Sequence, residues 1–213
     1  MIQPHNNKLI SLIHPSRGRP EKALTTTLDW IRGTDNIEHI LSVDESDPLL
    51  NEYRKNFYLW HEAPNNSVVE ATNRAAKIAK GDILVYLSDD FKCPDGWDVK
   101  IRQYFNTNEP RLLKVDDCLQ RFDAKIITIP IMNRALYNLL GYFFNPKYDS
   151  MFVDDDLYHT CKQWIFEAPE LKFPHEHWKT GKCKIDETYK RSEANWDQGL
   201  VVFNQRKLEG FPI

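Results

Sequence analysis

The sequence predicts an α/β domain with a mostly parallel central sheet flanked by helices. Ile83 to Leu87 is apolar without a break, which marks a short strand buried on both faces, as in a parallel sheet. From residue 8 to residue 87, runs of this kind alternate with stretches whose apolar residues recur at helical spacing, the pattern of strands joined by helical crossovers. The runs end in turn-forming or acidic residues, and open α/β sheets bind ligands at the carboxyl ends of their strands.

Lys8–His14 is the first strand, and it breaks at the turn Pro15-Ser16-Arg17-Gly18-Arg19-Pro20. Pro20 can open a helix, and Glu21–Arg32 carries Ala23, Leu24, Leu28 and Ile31 at helical spacing, with Gly33 as its stop. Ile37–Val43 is a second strand, Leu49–Phe57 a short helix and Tyr58–Trp60 a third strand. Asn66 or Ser67 caps the next helix. Its packed face is Val68, Ala71, Ala75, Ala76 and Ile78, and Gly81 closes it.

After the central strand come a loop to Gly96, a helix over Trp97–Phe105, strands over Arg111–Val115 and Ala124–Ile131, and a helix over Asn133–Leu140. The aromatic loop from Gly141 to Pro146 leads to a helix that opens at Phe152-Val153-Asp154-Asp155-Asp156 and runs to about Gln163. Trp164–Phe173 reads as two short strands broken near Pro169, and Glu187–Glu209 as two helices with Trp196, Leu200, Val201 and Phe203 turned inward.

The chain has 213 residues with a formal charge of -3, a balance that argues against broad electrostatic capture of nucleic acid. Cys93, Cys118, Cys161 and Cys183 lie far apart without a C-x-x-C pair, so they read as reduced thiols. The first residues lack a signal-peptide pattern and no apolar run approaches a membrane span, which predicts a soluble, cytoplasmic protein.

Several groups can carry chemistry. Asp89 and Asp90 follow the central strand. Adjacent carboxylates there either start a turn or share a cation such as Mg²⁺ or Mn²⁺. Arg17 and Arg19 either meet phosphate or are solvated loop charges. Asp44, in the acidic turn after the second strand, can accept hydrogen bonds from a base or ribose, while Asp47 before Pro48 suits a turn. Asp154, Asp155 and Asp156 suit a helix N-terminus, but three exceed what capping needs. His175 and His177, at i and i+2 on an extended segment, share a face and can ligate metal as neutral imidazoles, or form a surface pair.

Taken in order, five segments resemble GT-A-type glycosyltransferases, closest to the family 2-like group, over residues 8 to about 205. LISLIHPSRGRP is similar to the family's opening strand and turn, and LSVDESDP to its base-holding acidic turn. NNSVVEATNRAAKIAKGDILVYLSDDF resembles its helix, strand and D-x-D metal motif, with Ser88 where the first carboxylate stands. LGYFFNPKYDSMFVDDDLYHTCK resembles the acceptor loop and catalytic-base helix, and FPHEHW the late metal-site histidine. The resemblance implies one GT-A domain over 1–213, with 1–115 as the nucleotide-sugar half and 116–213, including the C-terminal helices, as the acceptor half.

It further implies donor binding by Pro15, Ser16, Arg17, Arg19, Asp44, Asn73, Ser88 and Asp89. Mn²⁺ or Mg²⁺ would be held by Asp90 with His175 or His177, and the base would be Asp155, with Asp154 next. The implied activity is transfer, with inversion, from a nucleoside diphosphate sugar, most often a UDP-sugar, to the hydroxyl of a glycan, protein, lipid head group or modified nucleic acid base. Two alternatives stay open: a nucleotidyltransferase, for which HPSRGRP is a faint phosphate loop, and a non-catalytic nucleotide- or sugar-binding module of the same fold.

Overall fold

The computed structural model describes residues 7–57, 60–64 and 67–213. Its first half contains strands Ile10–Ser16 (β1), Ile37–Asp44 (β2), Trp60–Ala63 (β3) and Ile83–Tyr86 (β4), connected by helices Pro20–Ile31 (α1), Leu50–Asn56 (α2) and Val68–Ile78 (α3). The second half contains Trp97–Tyr104 (α4), Leu112–Asp116 (β5), Ile131–Asn133 (β6), Arg134–Leu140 (α5), Val153–Thr160 (α6), Ile165–Lys172 (β7), Glu187–Glu193 (α7) and Trp196–Leu208 (α8). The strands form one sheet in the order β3-β2-β1-β4-β6-β5-β7. Only β6 runs antiparallel to its neighbours.

β1 is buried at every position because β2 and β4 flank it on either side. Pro15, which has no N–H to give, lies beyond the last pairing with β4, Ile13 with Tyr86. Successive side chains go to opposite faces. Ile13 and Leu84 join the core beneath α3, α5 and α6, while Ile10, Leu12, Ile83 and Val85 join the core with Trp30 of α1 and Trp97 and Ile101 of α4. Helix starts follow their caps: Ser67 accepts from the Glu70 N–H at 3.0 Å, and Asn133 from that of Leu136 at 3.0 Å.

Several expectations change. Tyr58 and Leu59 of the expected third strand, and Asn65 and Asn66 of the expected cap, lie outside the described residues. The strand expected over 124–131 begins only at Ile131, although Ile127 and Ile129 are buried. Pro130 cannot donate to a ladder, so the apolar run before it packs without pairing. The two short strands expected around Pro169 are one, β7, whose register with β5 jumps between Val115 and Asp116. An edge strand tolerates proline in this way.

Gly81 does not close α3, which ends at Ile78 with Ala79 as cap. A Cβ on Gly81 would lie 2.4 Å from Ser11 Oγ and 2.7 Å from the Ser11 nitrogen, so only glycine lets the chain enter β4 this close to β1. Val69 and Thr72 take the buried places expected for Val68 and Ile78. In α8, Phe203 packs inward with Val202, but Trp196, Leu200 and Val201 are exposed. Gly199 and Arg206 set that face instead: a Cβ on Gly199 would meet the Met151 carbonyl at 2.4 Å, and Arg206 reaches Asp156.

Candidate active site

The carboxyl ends of β1, β2 and β4 open on a cavity of about 290 Å³, closed by the start of α6, the 173–178 segment and α7. Pro15, Ser16, Arg17, Arg19, Asp44, Ser88, Asp89, Asp90, Asp154, His175 and His177 all line it. Asn73 and Asp155 do not. Asn73 is committed to the aromatic loop, accepting from the Phe143 and Phe144 N–H groups at 2.9 Å each and donating to the Phe144 carbonyl at 2.7 Å.

Asp89 is tied to the scaffold. Its oxygens meet His14 Nε2 and Ser16 Oγ, each at 2.9 Å, and its carbonyl accepts from Thr26 Oγ1 at 2.8 Å. His14 Nδ1 lies 2.9 Å from His39 Nε2. Burial, and then His14, push the His39 pKa down to about 3, so this second ring stays neutral. Ser16 Oγ also meets Tyr53 Oη at 2.6 Å, which in turn accepts from the Arg19 N–H at 3.0 Å.

Asp90 faces the cavity. Ser88 Oγ donates to Oδ1 at 2.6 Å, Tyr189 Oη donates to Oδ2 at 2.5 Å, and His175 Nε2 lies 3.2 Å from Oδ2. Burial by itself would raise this carboxyl, but the hydrogen bonds from His175, Ser88 and Tyr189 prevail and hold it well below the usual carboxylate range. The rings of His175 and His177 meet edge-on with centroids 5.0 Å apart. Burial, and then His175, lower the His177 pKa to about 4. His177 Nδ1 accepts from the Lys179 N–H at 3.2 Å, which leaves the ring's proton on Nε2. His175 Nδ1 is buried without a partner among the described residues, a cost that stability alone does not explain.

The cationic groups are already paired. Arg17 bonds Asp44 and donates to Ser46 Oγ at 3.2 Å, while Asp44 accepts from the Ser46 N–H at 2.9 Å. Arg19 grips Asp186 with two bonds of 2.8 and 2.7 Å, and its guanidinium lies 4.2 Å from the Tyr189 ring centroid. Burial opposes its charge, yet Asp186, Asp89 and Asp90 raise its pKa. Asp47 has the turn role expected of it, accepting from Gly18 N–H at 2.6 Å and Leu49 N–H at 2.8 Å.

The three aspartates of α6 divide. Asp156 is buried and accepts from Arg206 Nε at 2.8 Å. Asp154 lines the cavity, and burial together with the neighbouring charge of Asp155 pushes its carboxyl up to about 7. Asp155 donates its N–H to Asp154 Oδ1 at 3.2 Å. Tyr86, Asp186 and Tyr189 carry no sequence signal of their own. Tyr86 sits in an unbroken apolar run yet lines the cavity, Tyr189 belongs to a stretch that reads only as a helix, and Asp186 lies just before it.

Among the described residues no group of three or more His, Cys, Asp or Glu gathers as a metal site. Asp90 and His175 together offer one carboxylate oxygen and one imidazole nitrogen on the cavity wall. That donor set fits a hard divalent ion which takes its remaining ligands from diphosphate oxygens and water.

No family model and no curated protein matches the chain. Solved structures do. A mannosyltransferase, PcManGT from Pyrobaculum calidifontis in complex with GDP-Man and Mn²⁺, superposes with a TM-score of 0.62 at 12% identity, over 82% of this chain and 59% of that one. S. aureus TarS in complex with UDP gives 0.59 at 14% identity, over 78% and 59%. TarS in complex with UDP-GlcNAc gives 0.57 at 13%, over 78% and 57%. The chain shares the fold of these glycosyltransferases. The chain spans less than two thirds of the length of these neighbours. Among the described residues no helix is long and apolar enough to cross a membrane.

Proposed function

We propose that the chain is a family 2-like GT-A glycosyltransferase that moves a sugar, with inversion, from a nucleoside diphosphate sugar to an acceptor hydroxyl. The supporting observation is that Asp90 and Asp154, remote in sequence, line one cavity with Arg17 and Arg19. Pro15, Asp44, Ser67 and Val68 also line the cavity and would take the base, most often uracil in the family this chain resembles. Asp44 is the acceptor for base or ribose donors there, with Arg17 holding it in place. Arg19 faces the diphosphate.

Asp90 and His175 would hold Mn²⁺ or Mg²⁺, which when bound supplies a Lewis acid against the charge of the leaving diphosphate. His175 is preferred to His177 because its Nδ1, which has no partner among the described residues, can take the ring proton when Nε2 turns to a metal, whereas His177 Nδ1 accepts from the Lys179 N–H and keeps that ring's proton on Nε2. Asp154 is the general base, in preference to Asp155, because it lines the cavity and its pKa lies near 7. The acceptor oxygen bonds to the anomeric carbon as its proton passes to Asp154. The bond from that carbon to the diphosphate oxygen breaks, and its electron pair leaves with the diphosphate. Attack from the face opposite the leaving group inverts the carbon.

The test is nucleoside diphosphate release from a panel of UDP- and GDP-sugars, with Mn²⁺ and after chelation. Metal-dependent release that Asp154→Asn abolishes, with nucleotide binding kept, is the expected result. Absence of both release and binding with every donor would overturn the assignment. Tight binding without turnover would instead make the chain a binding module, and pyrophosphate release from a nucleoside triphosphate would make it a nucleotidyltransferase.

A further inference from the structure

We propose that Tyr189 is a positioning residue of the donor site, fixing Asp90 through its hydroxyl and Arg19 through its ring. This role deepens the sugar-transfer assignment and depends on Asp90 and Arg19 facing the donor. The hydroxyl donates to Asp90 Oδ2 at 2.5 Å while Ser88 holds Oδ1 at 2.6 Å. With both oxygens held, the carboxylate cannot rotate, and the second lone pair of Oδ2 is aimed at His175 Nε2, 3.2 Å away, where a metal shared by the two would sit. Carboxylates that ligate metal are oriented by such outer partners.

The other face of the same residue carries Arg19. Its guanidinium lies over the ring at 4.2 Å from the centroid, and Asp186 clamps its edge at 2.8 and 2.7 Å. Stacking and a bidentate carboxylate leave a guanidinium little freedom. Asp186 is also the N-cap of α7, accepting from the Tyr189 N–H at 3.1 Å. Thr188 Oγ1 donates to the Arg17 carbonyl at 2.8 Å, and the Tyr189 ring meets His177 edge-on at 4.8 Å. One turn of α7 thus touches the carboxylate, the guanidinium and the turn after β1. A tyrosine that only filled space would not need its hydroxyl on a carboxylate, since phenylalanine would serve.

Two variants separate the two contacts. Tyr189→Phe keeps the ring and removes the hydroxyl, whereas Tyr189→Leu removes both. The 213-residue chain is titrated with UDP and GDP by calorimetry, with Mn²⁺ and with a chelator. Tyr189→Phe should cut the enhancement by Mn²⁺ about tenfold or more, the usual penalty for losing an outer partner of a metal ligand. Tyr189→Leu should also weaken binding in the chelator. An enhancement equal to wild type in Tyr189→Phe would overturn the hydroxyl's role and leave the Asp90 assignment standing. Chelator-state affinity in a folded Tyr189→Leu equal to that of Tyr189→Phe would overturn the ring's role. No Mn²⁺ enhancement in the wild type would overturn both the role of Tyr189 and the assignment of Asp90.

Discussion

Asp154 has to be ionised to accept a proton, and its surroundings resist ionisation. Burial and the adjacent Asp155 raise its pKa to about 7, so the ionised fraction grows through the acid range and levels off above neutrality. We therefore expect log kcat/KM to rise with pH below about 7 and to flatten above it, with Asp154→Asn losing roughly 10²- to 10⁴-fold at the plateau. The same shift acts on stability. The folded state holds this proton up to about pH 7, whereas the unfolded chain releases it near ~4. Between those values the folded state binds more protons, so unfolding free energy falls as pH rises. Urea denaturation at pH 5 and pH 8 should show a steeper fall for the wild type than for Asp154→Asn, and parallel curves would place the shifted group elsewhere. At this scale the sequence points to the right cluster of three acids but cannot divide it. Their roles depend on which way each side chain turns off α6, and Asp156 turns toward Arg206, fifty residues on. Tyr189 was illegible because its contacts to Asp90 and Arg19 bridge distant parts of the chain.

At the scale of elements, the Asp156–Arg206 pair joins α6 to α8 and so fixes the helix that presents Asp154. Arg206 Nε lies 2.8 Å from Asp156 Oδ1, both side chains are buried, and Tyr148 and Thr160 complete the network at 3.2 and 3.3 Å. Removing one member of such a pair strands a buried charge, at about 3–5 kcal/mol. Arg206→Met should lower stability by that order in denaturant unfolding. The double variant Asp156→Asn with Arg206→Met should recover much of the loss, because the stranded charge goes with it. A double variant no more stable than the single would mean that packing, and not charge, holds α8. β1, β2 and β4 are legible because their buried centres are rich in Ile, Leu and Val between turn residues, whereas β3, Trp60–Ala63, carries His61 and Glu62 and has no such run. The sequence marks α8 and its inward Phe203, but not the rest of its inward face, which is set by a glycine and an arginine that no apolar periodicity reveals. The apolar run before Pro130 imitates a strand but packs in the core without pairing, and β6 starts only at Ile131.

For the whole molecule, the cavity is lined from Pro15 near the start of the chain to Asn195 near its end, and the sheet beneath it is continuous across all seven strands. A ligand bound there is held by segments that come together only in the folded chain, so its binding energy adds to global stability. At a free concentration of 100 times Kd, linkage adds about 2.7 kcal/mol. For a domain of this size that corresponds to roughly 5–10 °C in Tm. The shift should be largest with Mn²⁺ and nucleoside diphosphate together, smaller with the nucleotide alone, and smallest with Mn²⁺ alone, because Asp90 and His175 supply only part of a coordination shell. Asp90→Asn should abolish the difference between the first two conditions while keeping most of the nucleotide's own shift, since Arg17, Arg19 and Asp44 are left intact. Nucleotide and Mn²⁺ shifts that merely add, with no excess when both are present, would mean that the two ligands occupy separate places, and the cavity would then have to be assigned to the nucleotide without the metal.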